Sequence, residues 1–131
     1  MSLKIDSVIN ASDPNKECVV LTTISDLNLK GYALVDRTFD EDGKVSNEFR
    51  HIYIFPDLAI KSNDVVGVFT GVPTDKIPAV AKRKKGEGNI YRLYWQSDSC
   101  VWNDAGGDTA SLIKYDLINS VTVRPVQKEK K

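Results

Sequence analysis

"FRHIYIF", Phe49 to Phe55, alternates its side chains with a period of two. Phe49, His51, Tyr53 and Phe55 fall on one side of an extended chain and Arg50, Ile52 and Ile54 on the other, because successive side chains of a strand point to opposite faces. An amphipathic helix would instead repeat its apolar groups every three or four residues. Both faces carry apolar groups, the pattern of a strand with neighbours on either hand, so a central position in a sheet is expected.

The same reading extends in both directions. Residues 3–9, 18–24 and 31–35 before it, and 65–70, 90–96, 109–115 and 118–123 after it, are short β-branched or alternating runs bounded by Pro, Gly, Asn, Asp or Ser. In residues 90–96, Tyr91, Leu93 and Trp95 oppose Arg92, Tyr94 and Gln96, as in a half-buried strand. The one helical pattern of any length, 75–85, is limited by Pro78. Short strands without interleaved helices predict an all-β, antiparallel sandwich or barrel. Two connections are long, 38–48 and 72–89, and long loops on a β scaffold are where partners bind.

The composition is that of an ordinary globular domain: 131 residues, 41% hydrophobic, 27% charged, with 18 Lys and Arg balancing 18 Asp and Glu. One domain over residues 1–126 is expected, with a charged, frayed tail at 127–131. A chain of this size buries roughly 65–70% of its unfolded surface and needs no cofactor or disulfide to hold it. Affinity for nucleic acid or anionic lipid would have to come from local clustering of charge. Cys18 and Cys100 lack the close spacing of a zinc or redox pair, and the sequence leaves open whether they are joined. No basic start with an apolar run marks a signal peptide, and no apolar stretch approaches the ~18 residues of a membrane span, so no direct membrane insertion is expected.

In "VWNDAGGDTASLIKY", residues 101–115, the cluster Asn103, Asp104, Gly106, Gly107 and Asp108 is suited to a tight reversal before a strand. Leu93-Tyr94-Trp95-Gln96, Val101-Trp102-Asn103-Asp104, then Gly107-Asp108-Thr109-Ala110 with Leu112, resemble the last third of a lamin tail domain. Leu29-Lys30-Gly31-Tyr32-Ala33-Leu34-Val35-Asp36 is similar to an earlier strand of that family, with Tyr32 where Trp is usual. Ile54-Phe55-Pro56 with Leu58, and Val66, Val68, Thr70 and Gly71, match its middle segments. The similarity covers residues 19–123; the family's usual Gly is missing ahead of the 65–70 strand, where Asn63-Asp64 stands, and from the last strand. It implies an immunoglobulin-like β-sandwich and a non-enzymatic accessory module, often in an envelope-associated or secreted setting.

Five features are candidates for chemistry. His51, the single histidine, lies in an alternating strand, where a structural imidazole is the ordinary role. Asp104 and Asp108 suit turn positions better than a carboxylate pair, and Asp40-Glu41-Asp42-Gly43 lacks the later ligands of a calcium loop while matching a hairpin turn. Trp102 with Asn103 could form a sugar-stacking platform, although a Trp in a sandwich is more often core. Lys82, Arg83, Lys84 and Lys85, with Arg92, make a cationic run able to meet phosphates. The expectation is therefore a non-enzymatic module, without cofactor or metal, that binds a protein partner through exposed edges and long loops, with homodimerisation through edge strands as one form of this. The alternatives are nucleic-acid or polyanion binding through 82–85 and carbohydrate binding at Trp102.

Overall fold

The β-branched and aromatic runs form strands where the sequence breaks them with Pro, Gly, Asn and Asp. The structure, a computed structural model, describes residues 2–39, 45–84, 86–102 and 109–126, with 37–39 and 45–50 described by their backbone alone. Ten strands lie in these residues: β1 (Leu3–Ile9), β2 (Cys18–Thr23), β3 (Leu27–Asn28), β4 (Tyr32–Phe39), β5 (Val45–Ile54), β6 (Ala59–Ile60), β7 (Val65–Phe69), β8 (Val80–Lys82), β9 (Asn89–Tyr94) and β10 (Thr109–Lys114). They build a five-stranded layer in the order β1-β2-β7-β9-β8, a three-stranded layer β10-β4-β5, and the small pair β3-β6.

The fold is an all-β sandwich. Its inner faces follow the period of two: Val19 and Leu21 of β2, Val66 and Val68 of β7 and Leu34 of β4 are buried together with Leu3, Phe55 and Trp102, while Tyr32, Tyr53, Tyr91 and Leu93 pack against this cluster. Pairings are antiparallel except that of β7 with β9. That parallel pair departs from the expected all-antiparallel arrangement. Its cause is the long connection at 70–88, which has enough chain to cross over and return in the same direction.

The two layers are unequal, and the inequality has a side. β10 lies against β1, so the sandwich closes there. On the opposite side, among the described residues, β5 and β8 come no closer than 8 Å between Cα atoms.

Three expectations are corrected. β5 is an edge strand rather than a central one, with Ile52 49% and Ile54 60% exposed. Residues 118–123 form no strand: the segment stays exposed, and β1 already lies against β10. Residues 75–85 form turns and then β8 in place of a helix, consistent with Pro78 interrupting the ladder of helical hydrogen bonds. The Asp42-Gly43 turn, the calcium-like run around it and residues 127–131 lie outside the described residues.

Candidate functional site

The cationic run is assembled by a hairpin. β8 and β9 pair with Lys82 opposite Asn89, and Arg83 N–H donates to the Gly88 carbonyl at 3.1 Å. Gly88 has φ +111°, and a Cβ there would stand 2.3 Å from the Asn63 carbonyl oxygen, so glycine lets the hairpin press onto the turn before β7. Arg83 Nη1 fixes the same contact, donating to the Asn63 carbonyl at 2.9 Å. Asp64 accepts from Lys61 N–H at 2.8 Å and from Asn89 N–H at 2.9 Å, tying the two turns together.

An open cleft of about 430 Å³ results, in which Lys61, Lys82 and Arg83 meet. Lys61 is the member that sequence reading missed, because it is brought there by β7–β9 pairing rather than by proximity along the chain. Two carboxylates, Asp64 and Glu87, also line the cleft and offset much of its positive charge. Lys84 is exposed beside it, and Lys85 lies outside the described residues. Arg92 does not join the cluster: its Nη1 donates to the Pro78 carbonyl at 2.8 Å.

Trp102 is 4% exposed and belongs to the core, so its ring is closed to a sugar or base. It packs edge-on against Trp95 at 6.0 Å, and Trp95 contacts Tyr53 at 5.6 Å and His51 at 6.4 Å. Asn103, the other half of that platform, lies outside the described residues, as do Asp104 and Asp108. What seats Trp102 is Glu17, fully buried ahead of β2. Its Oε1 accepts from the Thr70 hydroxyl at 2.6 Å, Val101 N–H at 2.9 Å and Trp102 N–H at 3.2 Å. A glutamate before an apolar run gives no sign of this in the sequence.

His51 sits on β5 with Nδ1 3.0 Å from Asp36 Oδ2, while its main-chain N–H donates to Asp36 Oδ1 at 2.5 Å. Asp36 is buried at the place where β4 and β5 shift register, so its carboxylate replaces ladder contacts that the irregularity removes. The arrangement orients the imidazole and closes the bulge. Cys18 and Cys100 are not joined in a disulfide. Cys18 lies on the outer face of the large sheet against Gly67, and burial pushes its thiol up to about 12 despite the opposing influence of Arg92.

The remaining surface feature is the flank beside β5. Ile52 and Ile54 project from the small sheet's outer face, and Val80 on β8, across the gap, is 51% exposed. No family model matches this chain, and no curated protein does.

Proposed function

We propose that this protein is a non-enzymatic interaction module of lamin-tail, immunoglobulin-like type that takes a protein partner along its open strand edge. The observation that carries the reading is β5: a strand with apolar groups on both faces that stands at the edge of its sheet. An edge presents a row of main-chain donors and acceptors, and an incoming strand gains affinity from that ladder and specificity from the flanking side chains. The lamin-tail likeness is supported by where its matching residues lie, with Leu29, Leu34, Phe55, Val66, Val68 and Trp102 all in the core. The test is retention of a partner from an extract of the source cells. The intact chain should hold it, and a chain carrying Lys in place of both Ile52 and Ile54 should not; equal retention by the two counts against the edge.

A second reading is polyanion binding at the cleft, favoured by the meeting of Lys61, Lys82 and Arg83. Heparin retention at low salt that vanishes when residues 82–85 are all changed to Ser, and that weakens on Lys61→Ser, is its expected signature. A parent chain that flows through at low salt removes this reading.

A further inference from the structure

Two segments depart from their sequence patterns in opposite senses. β5 has the composition of a strand flanked on both sides but, among the described residues, lacks a neighbour on one of them. Residues 117–126 have the composition of a strand but lack a sheet. Within 119–124 the odd positions, Asn119, Val121 and Val123, make a mostly apolar side and the even positions, Ser120, Thr122 and Arg124, a polar one, while Ile118 and Val126 are apolar at even positions on either flank. In the structure this segment is unpaired, and Leu117, Ile118, Val121, Val123 and Val126 are 80–95% exposed.

We propose that residues 118–124 of a second copy of this chain add to β5 as an antiparallel fourth strand of the small sheet, in a reciprocal exchange; this rests on the edge reading given above. The backbone of β5 is ready for it. Phe55 N–H donates to the Tyr32 carbonyl and His51 N–H to Asp36, so the odd residues point toward β4. By alternation the main-chain groups of Ile52 and Ile54 point to the open side. A strand placed there lies over the gap between β5 and β8, where its Val121 and Val123 side can cover the exposed Val80 and the half-buried Tyr91.

The length of the connection decides between a second copy and the same copy. Tyr115 N–H is anchored on the Gly31 carbonyl at 2.8 Å, and Leu117 shares a groove with Lys30, Gly31 and Ile54. From β10 to a position beyond β5 is three strand spacings, about 14 Å, whereas residues 115–118 supply about 13–14 Å only when fully stretched. A taut hinge of this kind favours exchange between copies over closure within one. Each tail leaves its own domain at the Ile54 end of β5, the end at which an antiparallel partner must start, so two copies related by a twofold axis satisfy each other at once.

The experiment is sedimentation and amide exchange on the full chain. The parent should dimerise at micromolar concentration, with slowed exchange at Ile52 and Ile54 and at the even residues of 118–124. Placing Pro at both Ser120 and Thr122, whose N–H groups face β5 when Val121 and Val123 face inward, removes two ladder donors from an exposed segment that belongs to no strand, so the far-ultraviolet spectrum should hold while dimer affinity falls at least ~10-fold. A dimer that survives this change overturns the proposal. So does a monomer whose 118–124 amides are protected, which would put the tail on its own β5. A monomer with an unprotected tail that still retains a partner through Ile52 and Ile54 overturns the exchange and leaves the edge reading standing. If that partner is retained regardless of Ile52 and Ile54, it is the edge reading that fails.

Discussion

The segment at 97–102 and the strand β5 reverse the usual relation between regular structure and burial. The first belongs to no strand, yet it ends in two buried residues, Val101 and Trp102. The second is the longest strand described and stands half open to solvent. The difference lies in which donors find acceptors. Ser97 N–H reaches the Thr70 carbonyl at 2.8 Å and the Val101 and Trp102 N–H groups reach Glu17, so irregular backbone can enter the core with its polar groups satisfied. Among the described residues β5 is paired on one side only, and its second row of polar groups keeps that flank at the surface.

If Glu17 is what admits the 97–102 segment, removing its carboxylate should cause the largest loss of stability. Glu17→Ala strands three buried donors at once, and an unmet buried donor costs about 1–3 kcal/mol, so a loss of roughly 2–5 kcal/mol is expected after relaxation. Urea unfolding followed by Trp fluorescence measures it. A loss below ~1 kcal/mol would mean that the burial of Trp102 does not depend on this anchor. Gly71→Ala probes the same end of the molecule by crowding. Its Cβ would lie 1.9 Å from Asn15 Oδ1 and 3.0 Å from Asn15 Cα, while Gly71 N–H must keep its bond to the Pro14 carbonyl. The Asn15 side chain can swing away but its backbone cannot, so a smaller loss of about 1–3 kcal/mol is expected from the same unfolding curve.

Much of this architecture was legible in the sequence because period-two alternation reports local geometry directly. Val19 with Leu21, Val66 with Val68, and Tyr53 with Phe55 share a face by counting alone, and the packing shows that face to be the inner one. What alternation does not report is the neighbour. The pattern of Ile52 and Ile54 reads correctly as apolar on both faces, but it cannot say that only one side of β5 is paired within the chain. The runs at β3, β6 and β8 are too short to show a period. The cleft was half legible: Lys82 and Arg83 are adjacent in sequence, but Lys61 reaches them through a parallel pairing and through a glycine that lets the hairpin touch Asn63. Glu17 was not legible, since three donors from two distant segments define its role.

A pH series separates the buried body of the large sheet from its open rim with an effect that is smaller again over any one pH unit. Burial holds the Cys18 thiol protonated to about 12 in the folded chain, against an ordinary 9.0 in the unfolded one. Between these values the unfolded state has released a proton that the folded state keeps, so the folded state loses stability as pH rises above about 9 and the effect levels off above about 12. The slope from this group is at most about 1.4 kcal/mol per pH unit. Tyr53, also raised by burial, contributes in the same sense at higher pH in every variant. The difference between parent and Cys18→Ala isolates the thiol, and equal slopes in both would show that Cys18 is wetter in solution than its burial implies.

The smallest expected effect lies on the open flank. Ile52→Thr keeps a β-branched side chain on β5 and removes apolar surface that is already half exposed, so at submicromolar concentration it should change unfolding free energy by less than about 0.5 kcal/mol. The contrast with Glu17→Ala is the sharpest form of the comparison, because the residue in the regular strand should matter less than the one that serves an irregular loop. If Ile52→Thr costs more than ~1 kcal/mol under dilute conditions, the flank is covered within a single chain, and β5 is central in solution as its sequence pattern predicts.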